Sequence, residues 1–236
     1  VIDKSGSMDD DDLLPGPGFL SRLQLAIDAL KNMLEAYDSA AGDIQVQIVT
    51  FDSTAQGVFP TSGTFYTVAQ AIQKLNQIAA TGAGGNTDYD DATELAAGAF
   101  PNWPDASATQ KNIVYFLSDG DPNPNSDALN ASEQAAWQDA LDEKGIEVIA
   151  VGVGDGITDT TELGKVAYPA DNVILVENDT ELGAALLGTL PNILSGNVLE
   201  NGDTHGGDGW GAPKIVSVEH DGAVYTTASA GYDAAS

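Results

Sequence analysis

Cysteine is missing from this chain, and basic side chains are scarce: eight Lys and Arg stand against 36 Asp and Glu in 236 residues. Without cysteine there is no disulfide framework and no thiolate metal site. The formal net charge of -28 repels phosphate backbones and anionic headgroups, which argues against nucleic acid and against membrane surfaces as partners. It favours divalent cations and salt-rich surroundings, where self-repulsion is screened. Long apolar runs are missing too: none reaches the ~20 residues of a spanning helix, so no direct membrane insertion is expected. Histidine occurs twice, at His205 and His220, both in the tail and without metal-ligand spacing. No Ser-His-Asp set can be built from them, and no glycine-rich phosphate loop with a lysine is present, so an enzyme is not expected. No signal peptide is visible. A chain that opens in mid-strand, with only Val1 and Ile2 before its first polar residues, reads as a module of a longer protein.

What is present suits a folded core, with 42% apolar residues. Leu23, Ile27, Leu30 and Leu34 in RLQLAIDALKNMLEAY recur at helical spacing. DIQVQIVTF alternates as a strand does, and residues 54–66, with Gly, Pro and aromatics, suggest a hairpin or an edge strand. TVAQAIQKLNQIAA predicts a second helix, and GAGGNTDYDDATELAAGAF a glycine-rich loop running into a third. KNIVYFLSDG and IEVIAVGVG are near-continuous apolar strands, as in a sheet covered on both faces. Between them ASEQAAWQDALDEKG is a helix with a glycine cap, and NVILVEN and TELGAALLGTLPNIL add a last strand and helix. Strands that alternate with helices predict an α/β fold, a doubly wound, mostly parallel sheet with helices on both faces. Ligands then sit at the strands' carboxyl ends, near the switch in strand order. Trp103, Trp137 and Trp210 are scattered and read as packing residues.

Chemistry-bearing residues gather where strands end. In VIDKSGSMDDDD, Asp3, Ser5 and Ser7 alternate after a strand, and Asp9 to Asp12 follow. Alternating hydroxyl and carboxylate oxygens offer hard ligands for Mg2+ or Ca2+, although a Ser/Gly/Asp turn has the same composition. GGNTDYDDA supplies Thr87 with Asp88, Asp90 and Asp91 nearby, and FLSDGD supplies Asp119 and Asp121. Asp119, Asp121, Asn123, Asn125 and Asp127 alternate like the front of a calcium loop, but Asn130 stands where the bidentate Glu belongs. A loop rim is the better reading there. Asp9, Asp88, Asp91 and Asp121 are candidates for further cation binding or for a solvated acidic rim. A phosphoryl-transfer site with Asp3 as nucleophile would want a second carboxylate where Ser5 stands.

An Asp-x-Ser-x-Ser segment after a strand, a Thr in a glycine-rich loop and an Asp closing a later strand together resemble the von Willebrand factor type A fold. The resemblance covers roughly residues 1–193. It implies a Rossmann-like domain whose metal-ion-dependent adhesion site, as in integrin I domains, would be Asp3, Ser5, Ser7, Thr87 and Asp119. Neutral hydroxyls would ligate directly, and Asp3 and Asp119 in part through water. The cation would then keep an open position for a carboxylate presented by a partner. One departure is the first strand, where only two apolar residues precede the motif.

From residue 195 the chain turns Gly- and Asp-rich, and KIVSVEHDGAVYTT alternates like a hairpin around Asp221-Gly222. The division expected is a domain over 1–194 and a short β-rich extension over 195–236. SGNVLENGDT with IVSVEHDGA resembles the opening of cadherin-like or Ig-like modules in large bacterial RTX adhesins. That resemblance implies an extracellular adhesion module at a bacterial cell surface, monomeric within its longer chain. The alternatives are a spacer whose cation only ties loops together, and an assembly platform in a cytosolic complex, as in the von Willebrand A domains attached to chelatase-type ATPases.

Overall fold

The computed structural model describes residues 1–10, 20–41, 43–59, 65–107, 110–154, 157, 160–176, 179–190, 217–220 and 223–226. The chain divides into two compact units, Val1–Pro191 and Asn192–Ser236. The described residues of the first unit form, in chain order, β1 (Ile2–Asp3), α1 (Arg22–Ala41), β2 (Ile48–Phe51), β3 (Ala55–Val58), α2 (Val68–Thr81), α3 (Tyr89–Ala99), β4 (Asn112–Ser118), α4 (Ala131–Lys144), β5 (Ile146–Val153), α5 (Thr161–Val166), β6 (Val173–Val176) and α6 (Asp179–Gly188). The sheet runs β3-β2-β1-β4-β5-β6. All neighbours are parallel except β2 and β3, which pair antiparallel, and β3 stands at the edge of the described sheet. The doubly wound α/β fold read from the sequence is therefore the one observed.

Two-residue periodicity explains how one sheet serves two cores. Ile149, Val151 and Val153 of β5 point to the layer of α1, α2 and α6, together with Ile2, Ile48 and Leu117. Ile146, Val148 and Ala150 of the same strand point the other way, with Val49, Phe51, Val114 and Phe116, toward α3, α4 and α5. On α1, Leu23, Ile27, Leu30 and Leu34 are all buried, which is the face the spacing predicts. Trp137 packs in the second core and donates its ring N–H to the Val166 carbonyl at 2.8 Å; Trp103 donates to Gln47 Oε1 at 2.6 Å.

Local chemistry sets the helix ends. Thr67 with Gln70, and Asn130 with Glu133, form capping boxes at the starts of α2 and α4. Gly145 closes α4 at φ 59°, the left-handed conformation that glycine adopts without strain. Three details depart from the sequence reading. The DIQVQIVTF strand contracts to Ile48–Phe51, with Val46 making only an isolated bridge to Tyr66. Between β5 and β6 the six-residue α5 appears, too short to leave a readable helical period. The third concerns the opening motif, where β1 stops at Asp3 and Gly6–Asp9 form a turn of 3-10 helix.

In the second unit, Ser217–His220 and Ala223–Thr226 pair antiparallel, with Ser217 opposite Thr226 and His220 opposite Ala223. That is the hairpin expected around Asp221-Gly222. The rest of 195–236, with Trp210 and His205, lies outside the described residues, as do Asp11 and Asp12.

Candidate metal centre

The site forms where the sheet changes direction. From β1 the chain winds outward through β2 to β3, then returns to place β4 on the other side of β1. The crevice at the carboxyl ends of β1 and β4 is thus the topological switch point. Asp3 ends β1, and Ser118 ends β4 with Asp119 next. After Asp3 the chain cannot extend the sheet, because it turns into the 3-10 helix that sinks Met8 completely into the core. Ser5 and Ser7 come just before this anchor, Ser5 at the start of the turn and Ser7 within it.

Four of the five expected residues are linked by their side chains. Asp3 Oδ1 accepts the Ser5 N–H at 2.7 Å, and Asp3 Oδ2 accepts the Ser118 hydroxyl at 2.5 Å. The Ser5 and Ser7 hydroxyls lie 3.2 Å apart, and Ser7 Oγ donates to Asp119 Oδ1 at 2.8 Å. The fifth, Thr87, is buried and held by its backbone, which exchanges two bonds with Asn123 (3.3 and 3.0 Å). Its loop is seated on the opening motif: Gly6 N–H donates to the Gly85 carbonyl at 3.0 Å, and Gly84 N–H to the Lys4 carbonyl at 2.7 Å. Glycine is required at 85, where φ is 90° and a Cβ would lie 2.9 Å from Ser53 Oγ.

Beneath the oxygens lies an aromatic floor. Tyr89 is fully buried edge-on to Phe51 and Phe116, and its hydroxyl donates to the Gly120 carbonyl at 2.9 Å. Ser118 Oγ bonds that same carbonyl, so strand end, floor and Asp3 form one network.

Burial dominates the electrostatics. Asp3 and Asp119 are both inaccessible to solvent. Desolvation, aided by the nearby Asp119 charge, pushes the Asp3 carboxyl up to about 7, against the lowering effect of its Ser118 and Ser5 hydrogen bonds. Burial also raises Asp119, although Arg22 and Ser7 pull it back. Arg22 Nη1 donates to Asp119 Oδ2 at 3.0 Å and is itself only 3% exposed. The guanidinium is bonded to Asp119, whereas Asp3 is held by the Ser5 N–H and the Ser118 hydroxyl, so with both acids ionised the pocket holds buried negative charge in a poorly polarisable setting. All the surrounding ligand atoms are hard oxygens. This donor set and surplus charge fit Mg2+ or Ca2+.

The remaining candidates separate from this pocket. Asp9 is exposed at the end of the 3-10 turn. Asp88 caps α3, its Oδ1 accepting the Asp91 N–H at 3.0 Å. Asp88, Asp90 and Asp91 each have a carboxylate oxygen within 4.8 Å of the others. Burial, then the Asp90 and Asp91 charges, raise Asp88 to about 7 despite its cap bond. Asp121 is half-buried and adds to the negative field at Tyr89. The alternating run from Asp119 does not wrap as a calcium loop: Asn123 gives its backbone to Thr87, Asp127 accepts from Ser126, and Asn130 caps α4.

Sequence reasoning missed Arg22, Ser118, Gly120 and Tyr89. Ser118 and Gly120 adjoin Asp119 and could have been taken with it. For Arg22 a signal existed: one of very few basic residues opens a helix, the end where the macrodipole disfavours a cation. Such a placement calls for acids close by.

Residues 1–121 match the family described as von Willebrand factor type A domain. Among solved structures, the mussel byssus proximal thread matrix protein 1, in a form with a zinc-occupied MIDAS motif, is 21% identical at a TM-score of 0.59, covering 81% of this chain and 46% of that one. A von Willebrand factor type A protein from Catenulispora acidiphila gives 20% identity and a TM-score of 0.60, over 79% of this chain and 40% of that one. The pilus adhesin SpaC from Lactobacillus rhamnosus GG gives 15% and 0.60, over 82% and 30%. The chain thus spans less than half the length of each. A comparison with curated proteins finds no match. The family match spans just over half of the residues and includes the opening motif, the Thr87 loop and Asp119, and the sheet order agrees with it. The chain belongs to the von Willebrand factor type A domain family.

Proposed function

We propose that this chain is a divalent-cation-dependent binding module in which Asp3, Ser5, Ser7, Thr87 and Asp119 form a metal-ion-dependent adhesion site. The observation that carries the reading is the continuous oxygen chain Ser5–Ser7–Asp119 beside a second buried carboxylate, Asp3, which is held by an N–H and a hydroxyl and not by a cation. A bound Mg2+ or Ca2+ would supply the missing positive charge and, through an open coordination position, attract an acidic oxygen from a protein or other surface partner. In this reading the module binds and does not catalyse. Its setting is extracellular, in a large bacterial surface protein of the RTX adhesin type. The acidity, the lack of cysteine and the tail's resemblance support that setting, and the likeness to a pilus adhesin and a byssus matrix protein is consistent with it. No helix among the described residues is long and apolar enough to cross a membrane.

The test must separate a specific site from diffuse attraction by a charge of -28. Metal-stripped protein is titrated calorimetrically with Mg2+ and with Ca2+, beside a Ser5→Ala/Ser7→Ala variant. The double substitution leaves net charge untouched, so specific binding should weaken by about tenfold or more while diffuse binding persists. Equal isotherms for the two proteins would move the cations to the peripheral acids and remove the mechanism.

A further inference from the structure

A cation-binding pocket that already contains a buried cation poses a problem, and Arg22 is that cation. Its guanidinium is permanently charged, almost fully buried, and 3.0 Å from Asp119 Oδ2, with Asp10 Oδ2 at 3.9 Å. Three features show a built slot rather than incidental contact. The Arg22 N–H donates to the Asp10 carbonyl at 3.0 Å, which ties the start of α1 to the end of the motif's 3-10 turn. The carboxyl end of β5 makes room with Gly154, at φ 80°, where an added Cβ would stand 3.0 Å from Arg22 Nε. The residue also opens a helix, where the macrodipole disfavours positive charge, so the acids have to compensate for its position. Asp119 is shared between two kinds of partner: one oxygen takes the Ser7 hydroxyl and the other the guanidinium.

We infer that Arg22 is a resident counter-charge that competes electrostatically with the divalent cation for Asp119, holding the site together without metal and weakening its affinity for metal. The inference rests on the metal-binding reading of the site. Two consequences follow. Without metal, Asp119 is already partnered, so the pocket does not collapse or repel itself open. With metal, Asp119 remains engaged by Arg22, so the ion is less fully neutralised by the protein and more strongly attracts an incoming carboxylate. Arg22 is thus a positioning residue for the site, acting through Asp119.

The experiment titrates Mg2+ alone, and in parallel Ca2+ alone, into metal-stripped 236-residue chain as wild type, Arg22→Met, Arg22→Gln and Arg22→Lys. Arg22→Gln keeps a donor for Asp119 without charge, so it serves if Arg22→Met does not fold. Melting is followed with and without saturating Mg2+. The expected result is a Kd lower by about tenfold in Arg22→Met and Arg22→Gln, equivalent to ~1.4 kcal/mol, with Arg22→Lys within about twofold of wild type because its charge is kept. The metal-free uncharged variants should also melt lower, and Mg2+ should recover more of the loss in them than in wild type. A merely structural arginine would lower melting equally with and without Mg2+ and leave the Kd alone. Wild-type binding that is unchanged or weaker in the folded uncharged variants would overturn the inference and leave the site standing. No saturable binding in any of the four proteins would overturn the metal-site reading, and this inference with it.

Discussion

Two groups of acids occupy the first unit, and the fold treats them in opposite ways. Asp3 and Asp119 are withdrawn from water at strand ends, each with both oxygens assigned to named partners. Asp88, Asp90 and Asp91 open α3, Asp88 buried and the other two half-buried, crowded against one another with a cap bond between Asp88 and the Asp91 backbone. The second group has three acids together, yet Asp90 and Asp91 keep contact with solvent, and the helix's own N-terminal dipole favours negative charge there. The first cannot rely on solvent, so it requires hydroxyls, an arginine and, in our reading, a divalent ion. In the proposed reading the cation goes to the buried, directional oxygens of the first group and not to the denser acids of the second.

The sharpest way to break the contrast is Asp119→Ala. It removes the carboxylate that Arg22 and Ser7 both bond, and breaking a buried pair from one side costs about 3 kcal/mol or more. Urea unfolding of the metal-free protein would show this as a drop in midpoint. A loss below about 1 kcal/mol would mean that Arg22 finds other compensation and the pair is not a structural anchor.

A smaller effect separates the groups by pH. The folded Asp3 carboxyl stands near 7 against an ordinary value of 3.8, which burial causes first. Because the folded value is raised, its contribution to stability is fully present below 3.8 and is lost as pH rises toward 7: across that window the unfolded chain has released a proton that the fold still holds. The metal-free protein should therefore lose stability with rising pH by at most about 1.4 kcal/mol per unit from this group. Asp3→Asn should flatten that part of the profile in thermal unfolding followed from pH 4 to 8. An identical slope in the variant would assign the dependence to other acids.

The smallest effects belong to α3. Asp88→Ala removes a cap and should cost about 1 kcal/mol or less, since it also relieves crowding with Asp90 and Asp91. Asp90→Asn should stay within about 0.5 kcal/mol. Neither should alter the Mg2+ isotherm by more than about twofold; a larger loss would place a cation at this cluster and erase the distinction drawn here.

Much of this was legible in the chain itself. The helical spacing of Leu23, Ile27, Leu30 and Leu34, and the apolar runs of β4 and β5, specify elements because a helix or strand must bury whatever face the sequence makes apolar. The Asp-x-Ser-x-Ser spacing and its place after a strand were likewise local facts. Edges were harder: Val46 was read into β2, yet pairing there reduces to one bridge with Tyr66. The short α5 was missed because six residues complete too little of a period.

What the sequence by itself determined, then, is a doubly wound α/β sheet and the identity of most oxygens that meet at its switch point. Only the tertiary structure decided how those oxygens are balanced. Ser118 takes one Asp3 oxygen, Tyr89 and Phe116 seal the floor, and Arg22 crosses from the start of α1 to Asp119, 97 positions away in the chain. Local pattern records which face of an element is buried. It does not record which charged groups from distant elements are buried together, and charge balance is a property of that shared volume.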